Sequence, residues 1–462
     1  MSTAGASALV SERPASRAEF LRVIWTLAWP VILTMSIESF VGIADMKMLG
    51  RLGKEVVAGV GIATQILFAL NTVIMAIGTA TLAIVARHIG AGERSKAEDV
   101  VGQSLILAAV FAALVSLPVI LYGREVVALF GAEPAVVQAG GTYLSIVLIG
   151  AAADAVFIVG AFALRGAGDT RTPLMVGLLL GVIKILSSYT LIFGHFGMPE
   201  LREAGAAIGS VIAFFAGAGA LVALLAGRTL ILRLHRRHLV PEWGTLKRVF
   251  SLGYPAALEN ALMQFGFMLY YYFAEKFSTG SLAAYVIGVR ILGMSFLPGM
   301  GFSAAAAALV GQNLGAQRPE EALRSGWEAT RLAIALMSAA GLLIFVEART
   351  IAEFFIQDES VLVPAVSFIR VLAAAQPLMA IDFTLSGALR GAGDTRFPLY
   401  VVLIGFYLCR LAFAYAATFV FRDVNDGGTA FWLWFALVPD YIVRAILKGW
   451  RFRSGRWKHI RV

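Results

Sequence analysis

The sequence predicts an all-α polytopic membrane protein, with twelve transmembrane helices in two pseudo-symmetric six-helix lobes. Three observations carry that prediction. Apolar residues make up 59% of the 462 residues and charged ones only 15%, against about 45–50% and about 25% in an ordinary soluble domain. Apolar runs of about 20 residues, the length that crosses a bilayer, recur twelve times. The second half of the chain repeats the first at a fixed offset of 225 residues. This composition excludes a cytosolic enzyme, a disordered chain and a disulfide scaffold. The single cysteine, Cys409, excludes an intramolecular disulfide and a cysteine metal cluster.

In chain order, residues 1–23 are small and polar, carry Arg13, Arg17 and Arg22, lack the pattern of a cleavable signal peptide, and read as a cytoplasmic N-terminal tail. The first lobe, 24–227, holds spans at roughly 24–46, 56–84, 101–121, 136–163, 173–193 and 204–227. A basic cytoplasmic linker follows at 228–249. The second lobe, 250–447, holds spans at roughly 250–273, 281–310, 329–347, 361–388, 397–421 and 429–447. Residues 448–462 read as a basic cytoplasmic tail. Gly and Pro inside several spans are tolerated where neighbouring helices re-satisfy the backbone, and the 47 glycines suit close helix packing.

Basic residues set the orientation. With the N-terminus in the cytoplasm, 26 Lys and Arg fall on the cytoplasmic side and 8 on the other, with Lys184, Arg290, Arg370 and Arg410 inside spans. That bias places both termini in the cytoplasm and predicts a multi-pass protein of the cell (inner or plasma) membrane. The formal charge of +9 is therefore topological, and no nucleic-acid partner is expected.

The repeat is clearest at Ala163–Arg171, which recurs residue for residue at Ala388–Arg396, with Pro173-Leu174 recurring as Pro398-Leu399. The same offset pairs Pro30 with Pro255 and Gly90 with Gly315. Six spans per half return the chain to the same side, so the halves are parallel repeats about an axis along the membrane normal, with a substrate site expected near mid-membrane. The repeated motif reads as structure: Gly-Ala-Gly ends one helix, Asp169 caps the next, and Pro173 fits its first turn. Its glycines follow a helix rather than a strand, and no GxxxxGK[ST] loop occurs, so nucleotide hydrolysis is not expected. The five histidines fall in loops or the tail. His235 and His238 could touch a metal, against the plainer reading of a solvated basic loop. No cofactor and no enzymatic activity are expected.

Ionisable groups inside spans are costly and stand as functional candidates. They do not repeat between halves: Glu38 aligns with Met263, Asp45 with Tyr270, Asp154 with Met379 and Lys184 with Cys409, while Glu259 aligns with Thr34, Asp382 with Phe157 and Arg410 with Ile185. At about 1.5 Å per residue, Glu38, Asp154 and Lys184 lie about 16 Å deep, and Glu259 and Asp382 about 12 Å deep. Asp45 is two turns beyond Glu38 on the same face. Structural ion pairs would explain these groups. Three carboxylates against one lysine instead leave negative charge for protons or cations.

At this point a resemblance becomes specific. Ala28-Trp29-Pro30, Ala44-Asp45, Gly50-Arg51-Leu52-Gly53, the run Gly253–Asn260, both copies of Leu-Arg-Gly-Ala-Gly-Asp-Thr-Arg and Val310–Gly315 together resemble the multidrug and toxic compound extrusion (MATE) transporters, near the bacterial NorM-like branch, from Leu27 to Trp457. The resemblance implies a MATE-like fold of two six-helix lobes around a V-shaped cavity, exporting organic cations and drugs against inward sodium or protons. It implies that Asp45 takes part in cation coupling and that Glu259 holds an acidic or amide position of the branch; as ionisable groups inside spans, Glu38, Asp154 and Lys184 join Asp45 as coupling candidates, and Glu259, Asp382 and Arg410 stand as substrate candidates. Two departures stand out. Members often carry asparagine where this chain has Lys184, and a polar or acidic residue one turn later, where it has Ser188.

The sequence therefore predicts a secondary active multidrug antiporter, acting as a monomer in the lipid bilayer. A lysine in the amide position would repel sodium, so protons are favoured over sodium as the coupling ion; Lys184 either exchanges a proton with a nearby acid or forms a permanent pair. The competing reading is a lipid-linked oligosaccharide flippase of the same superfamily.

Overall fold

A computed structural model describes residues 16–227, 229–420 and 430–460. Arg13, Arg228, Arg422 and Arg461, used in the charge count, lie outside these residues, as does most of the 1–23 tail. The predicted all-helical architecture is observed, with no β-strand among the described residues. In the first half the helices are α1 (Arg17–Leu49), α2 (Lys54–Gly90), α3 (Arg94–Leu121), α4 (Pro134–Gly166), α5 (Arg171–Phe193) and α6 (Arg202–Ala226). The second half has α7 (Trp243–Phe277), α8 (Thr279–Gly315), α9 (Pro319–Val346), α10 (Glu359–Gly391), α11 (Arg396–Phe419) and α12 (Leu437–Arg453), the last entered through a single turn, Phe431–Phe435. Ten of the twelve are long and apolar enough to cross a membrane, α7 and α12 being the exceptions.

The repeat is exact in register for three pairs of helices. Residues 54 and 90 of α2 map at an offset of 225 onto 279 and 315 of α8, and 94 and 121 of α3 onto 319 and 346 of α9. Residues 134 and 166 of α4 map likewise onto 359 and 391 of α10. Local signals fix these ends: Pro134 and Pro319 start α4 and α9, where a missing N–H costs nothing. The Asp358 carboxylate caps α10 by accepting from the Ser360 N–H at 2.9 Å.

The repeated Gly-Ala-Gly-Asp motif does what its sequence predicts. Gly168 (φ +88°) and Gly393 (φ +89°) turn the chain in the left-handed region, whereas Gly166 and Gly391 make room. A Cβ on Gly166 would lie 2.6 Å from the Leu82 carbonyl oxygen, and one on Gly391 2.1 Å from that of Ala307. Leu82 and Ala307 are themselves repeat equivalents, so one backbone contact (α2 on α4, α8 on α10) is built twice. The Asp169 carboxylate then accepts from the Thr172 N–H at 3.0 Å, starting α5. Gly391→Ala is expected to overpack this contact at a cost of about 1–3 kcal/mol, visible as a lower thermal midpoint of the purified protein. An unchanged midpoint would mean the helices separate freely there.

Two compact units result, Leu33–Ala257 and Met1–Ile32 with Leu258–Val462. Their boundaries fall inside α1 and α7, not at the linker 228–249. That segment packs on α3, where the Gln103 side-chain amide donates to the carbonyls of His238 (2.9 Å) and Val240 (2.7 Å). His238 is accordingly buried rather than solvated, and no cluster of three metal-binding side chains occurs among the described residues.

The chain end differs from expectation too. The last span was predicted to stop at 447 with a solvated tail from 448, yet α12 continues to Arg453 and Lys448 is buried, 1% exposed. The physical reason is pairing. Arg444 and Lys448 face carboxylates inside the unit, so positions that look like the edge of a span by hydropathy alone belong to its core.

Candidate functional site

In the unit Leu33–Ala257 the structure brings the predicted coupling residues together. Asp45 on α1 is buried, 6% exposed, and its Oδ2 lies 3.4 Å from Lys184 Nζ on α5. Asp45 Oδ1 has no hydrogen-bond partner among the described residues. Glu38, on α1, remains accessible. Asp154 opens the second segment of α4, Ala151–Gly166, directly after a 3₁₀ turn at Leu148–Gly150. Asn71 Nδ2 of α2 approaches Asp154 Oδ2 at 3.5 Å.

Charge links the four residues. Asp154 lies within electrostatic reach of Glu38 and Lys184, and Tyr143 within that of Lys184 and Asp45. Arg165, from the repeated motif and 6% exposed, acts on Glu38. A cavity of about 40 Å³ reaches Asp154, with Asn71, Ser116, Leu67 and Phe111 among its walls. It is roomy enough for water, and the Ser116 hydroxyl has no partner among the described residues. Three carboxylates thus share two cations beside a small, mostly apolar cavity.

The other unit is arranged differently. Glu259 on α7 is 5% exposed and ion-paired with Arg390 of the second motif copy, at 2.7 Å. Asp382 on α10 receives Lys448 Nζ at 2.5 Å and lies 3.6 Å from Arg444 Nη1. Lys448 also donates to Ser386 Oγ at 2.6 Å. Asp440 on α12, wholly buried, holds Arg444 Nε at 2.6 Å and Arg410 Nε at 2.9 Å. Arg410 stands in the π-helical stretch Leu403–Leu411 of α11, its guanidinium 4.7 Å from the Phe406 ring centre and 5.3 Å from that of Tyr441. Such π stretches recur at functional positions. Here three acids meet four bases, so Glu259 and Asp382 are compensated, not open negative charges.

Sequence reasoning missed Asp440, Arg444, Lys448, Arg165 and Asn71. A signal existed for the first three. Asp440, Arg444 and Lys448 stand at i, i+4 and i+8, one stripe of a helix. Arg165 was hidden by its place in a structural motif, and Asn71 by being uncharged.

Two six-helix repeats in one register, with different charge inside each, are an organisation found among membrane transporters. The comparisons agree. The MatE family model matches residues 30–190 and 255–416, one segment in each half, and the chain belongs to that family. It is 28% identical over 451 residues to the probable multidrug resistance protein NorM of Thermotoga maritima, covering 97% of this chain and 94% of that protein. It is also 28% identical over 456 residues to the probable NorM of Rhodopseudomonas palustris, covering 94% and 92%. Among solved structures, MATE in complex with MaL6 superposes with a TM-score of 0.87 at 20% identity, covering 98% of this chain and 99% of that one. A MOP superfamily transporter from Pyrococcus furiosus does so with a TM-score of 0.86 at 20% identity, covering 96% and 100%.

Proposed function

We propose that this protein is a secondary active multidrug exporter that moves organic cations and drugs out of the cell in exchange for inward protons. It works as a monomer in the cell membrane with both termini cytoplasmic, its halves 24–227 and 250–447 acting as the two lobes. The observation that carries the coupling part is the pair Lys184–Asp45 at 3.4 Å. A sodium ion needs several oxygen ligands around it, and an ammonium already occupies the side of Asp45 where they would gather. A proton needs only the carboxylates, and the uncompensated charge among Glu38, Asp45 and Asp154 supplies a place for it.

The second reading, a flippase for lipid-linked oligosaccharides, gains support from the half-buried Arg390 and the buried bases Arg410, Arg444 and Lys448. Each already faces a carboxylate within 3 Å, however, and drug export is the stronger reading. In proteoliposomes, a proton gradient alone is expected to drive drug transport, with an added sodium gradient changing it less than about twofold. Transport that needs sodium at symmetric pH would overturn the proton assignment; flipping of labelled lipid without drug transport would overturn the export reading.

A further inference from the structure

A groove of about 710 Å³ lies in the second unit, among α10, the outer end of α9 and the start of α12. Its volume is that of a small-molecule site, about 300–1,000 Å³. Leu362, Val366, Val371 and Ala374 of α10, with Phe435 and Val438, make its wall apolar. Beside it α9 exposes Leu342, Leu343 and Val346, each about two-thirds accessible (67%, 66% and 66%), a surface suited to acyl chains.

Its charged lining residues are Arg349, Glu359 and Arg370. Arg370 is exposed, and its guanidinium lies 5.8 Å from the ring centre of Phe345, the penultimate residue of α9. Although Arg370 starts eleven residues into α10, its side chain therefore reaches the level of the helix ends, as a snorkelling arginine does. No carboxylate pairs with it among the described residues. Arg349 is shared by two carboxylates, Glu353 at 2.6 Å and Glu359 at 2.9 Å. The rim thus offers one unpaired cation and one carboxylate in excess.

The first half shows why the groove exists. Arg124, the equivalent of Arg349, lies against Gly141, where an added Cβ would meet its Cγ at 2.6 Å. The equivalent of Gly141 is Val366, and Arg349 instead pairs with Glu353 and Glu359. The equivalent of Arg370 is Ser145. Both changes belong to the second half alone.

We propose that this groove binds a phospholipid of the outer leaflet whose headgroup carries both a phosphate and a primary ammonium. The phosphate sits on Arg370, the ammonium on Glu359 and Glu353, and an acyl chain lies along the α10 wall. A primary ammonium donates short charge-assisted hydrogen bonds to carboxylates, which a quaternary one does not. The inference goes beyond the transport reading and needs only the membrane setting and orientation.

Native mass spectrometry of the purified full chain tests it, with phosphatidylethanolamine, phosphatidylglycerol and phosphatidylcholine of identical acyl chains, and with inorganic phosphate as competitor. Phosphatidylethanolamine is expected to be retained about tenfold over the other two, the size of one charge-assisted contact. Arg370→Gln is expected to lose that retention about tenfold and Arg370→Lys to keep most of it. Glu359→Gln is expected to bring phosphatidylethanolamine level with phosphatidylglycerol. Equal retention by Arg370→Gln and wild type, wild-type preference for phosphatidylglycerol, or displacement of the lipid by inorganic phosphate would each overturn the proposal. Arg370 and Glu359 are both exposed, so unchanged thermal midpoints separate lost binding from lost folding.

Discussion

Asp440→Asn is expected to destabilise the second unit by about 3–5 kcal/mol, the cost of leaving a buried charge uncompensated. Asp440 is wholly buried and answers two guanidinium groups, Arg410 at 2.9 Å and Arg444 at 2.6 Å. Without its charge, Arg410 keeps only the rings of Phe406, Tyr441 and Tyr270, and cation–π contacts of about 0.5–2 kcal/mol do not replace a desolvated ion pair. Folded yield and thermal midpoint of the purified protein report the effect. Asp440→Asn combined with Arg410→Gln is expected to recover part of the loss, because it removes one of the stranded charges. Wild-type stability in the single variant would show that the network is relaxed by water.

Asp45→Asn has the largest expected effect on transport. Resistance conferred on a drug-sensitive host is expected to fall to the vector level while expression holds. The fold tolerates this change better than loss of Asp440, because Lys184 is 18% accessible and retains the field of Asp154. The pair at 3.4 Å is also long for a structural clamp, and Asp45 Oδ1 is left without a partner, as suits a carboxylate that changes state. Near-normal resistance would remove Asp45 from coupling and leave Lys184–Asp45 as packing.

Most of the fold was legible in the sequence, because two strong signals set it. A bilayer demands long apolar helices, and duplication prints the same register twice, so the bounds of α2 and α8 agree to the residue. What hydropathy could not read was charge that is paired. Arg444 and Lys448 looked like the edge of a span, and only tertiary contact with Asp382 and Asp440 shows them to be interior. The same limit governs the candidate site. Glu38, Asp45, Asp154 and Lys184 were legible because an ionisable residue in an apolar run stands out. That Glu259 and Asp382 are compensated was not, since Arg390 belongs to a motif whose glycines and aspartate have structural roles and Lys448 lies 66 positions from its partner. The π stretch around Arg410 left no mark either. Leu403–Leu411 has the apolar look of its α-helical equivalent in α5.

The stripe Asp440, Arg444, Lys448 also bears on how the chain enters the membrane. The equivalent positions of α6 are Phe215, Gly219 and Ala223, and α6 is apolar enough to partition as it leaves the ribosome, whereas α12 is not. Each unpaired charge at the centre of a span costs about 2.5–3.5 kcal/mol on insertion. Asp440 and Arg444 answer each other along α12 at 2.6 Å, so Lys448 is the charge that this helix brings in without a partner of its own. Its partner is Asp382 of α10, at 2.5 Å, so the settling of the final helix is tied to a helix already in place and not to its own hydrophobicity alone.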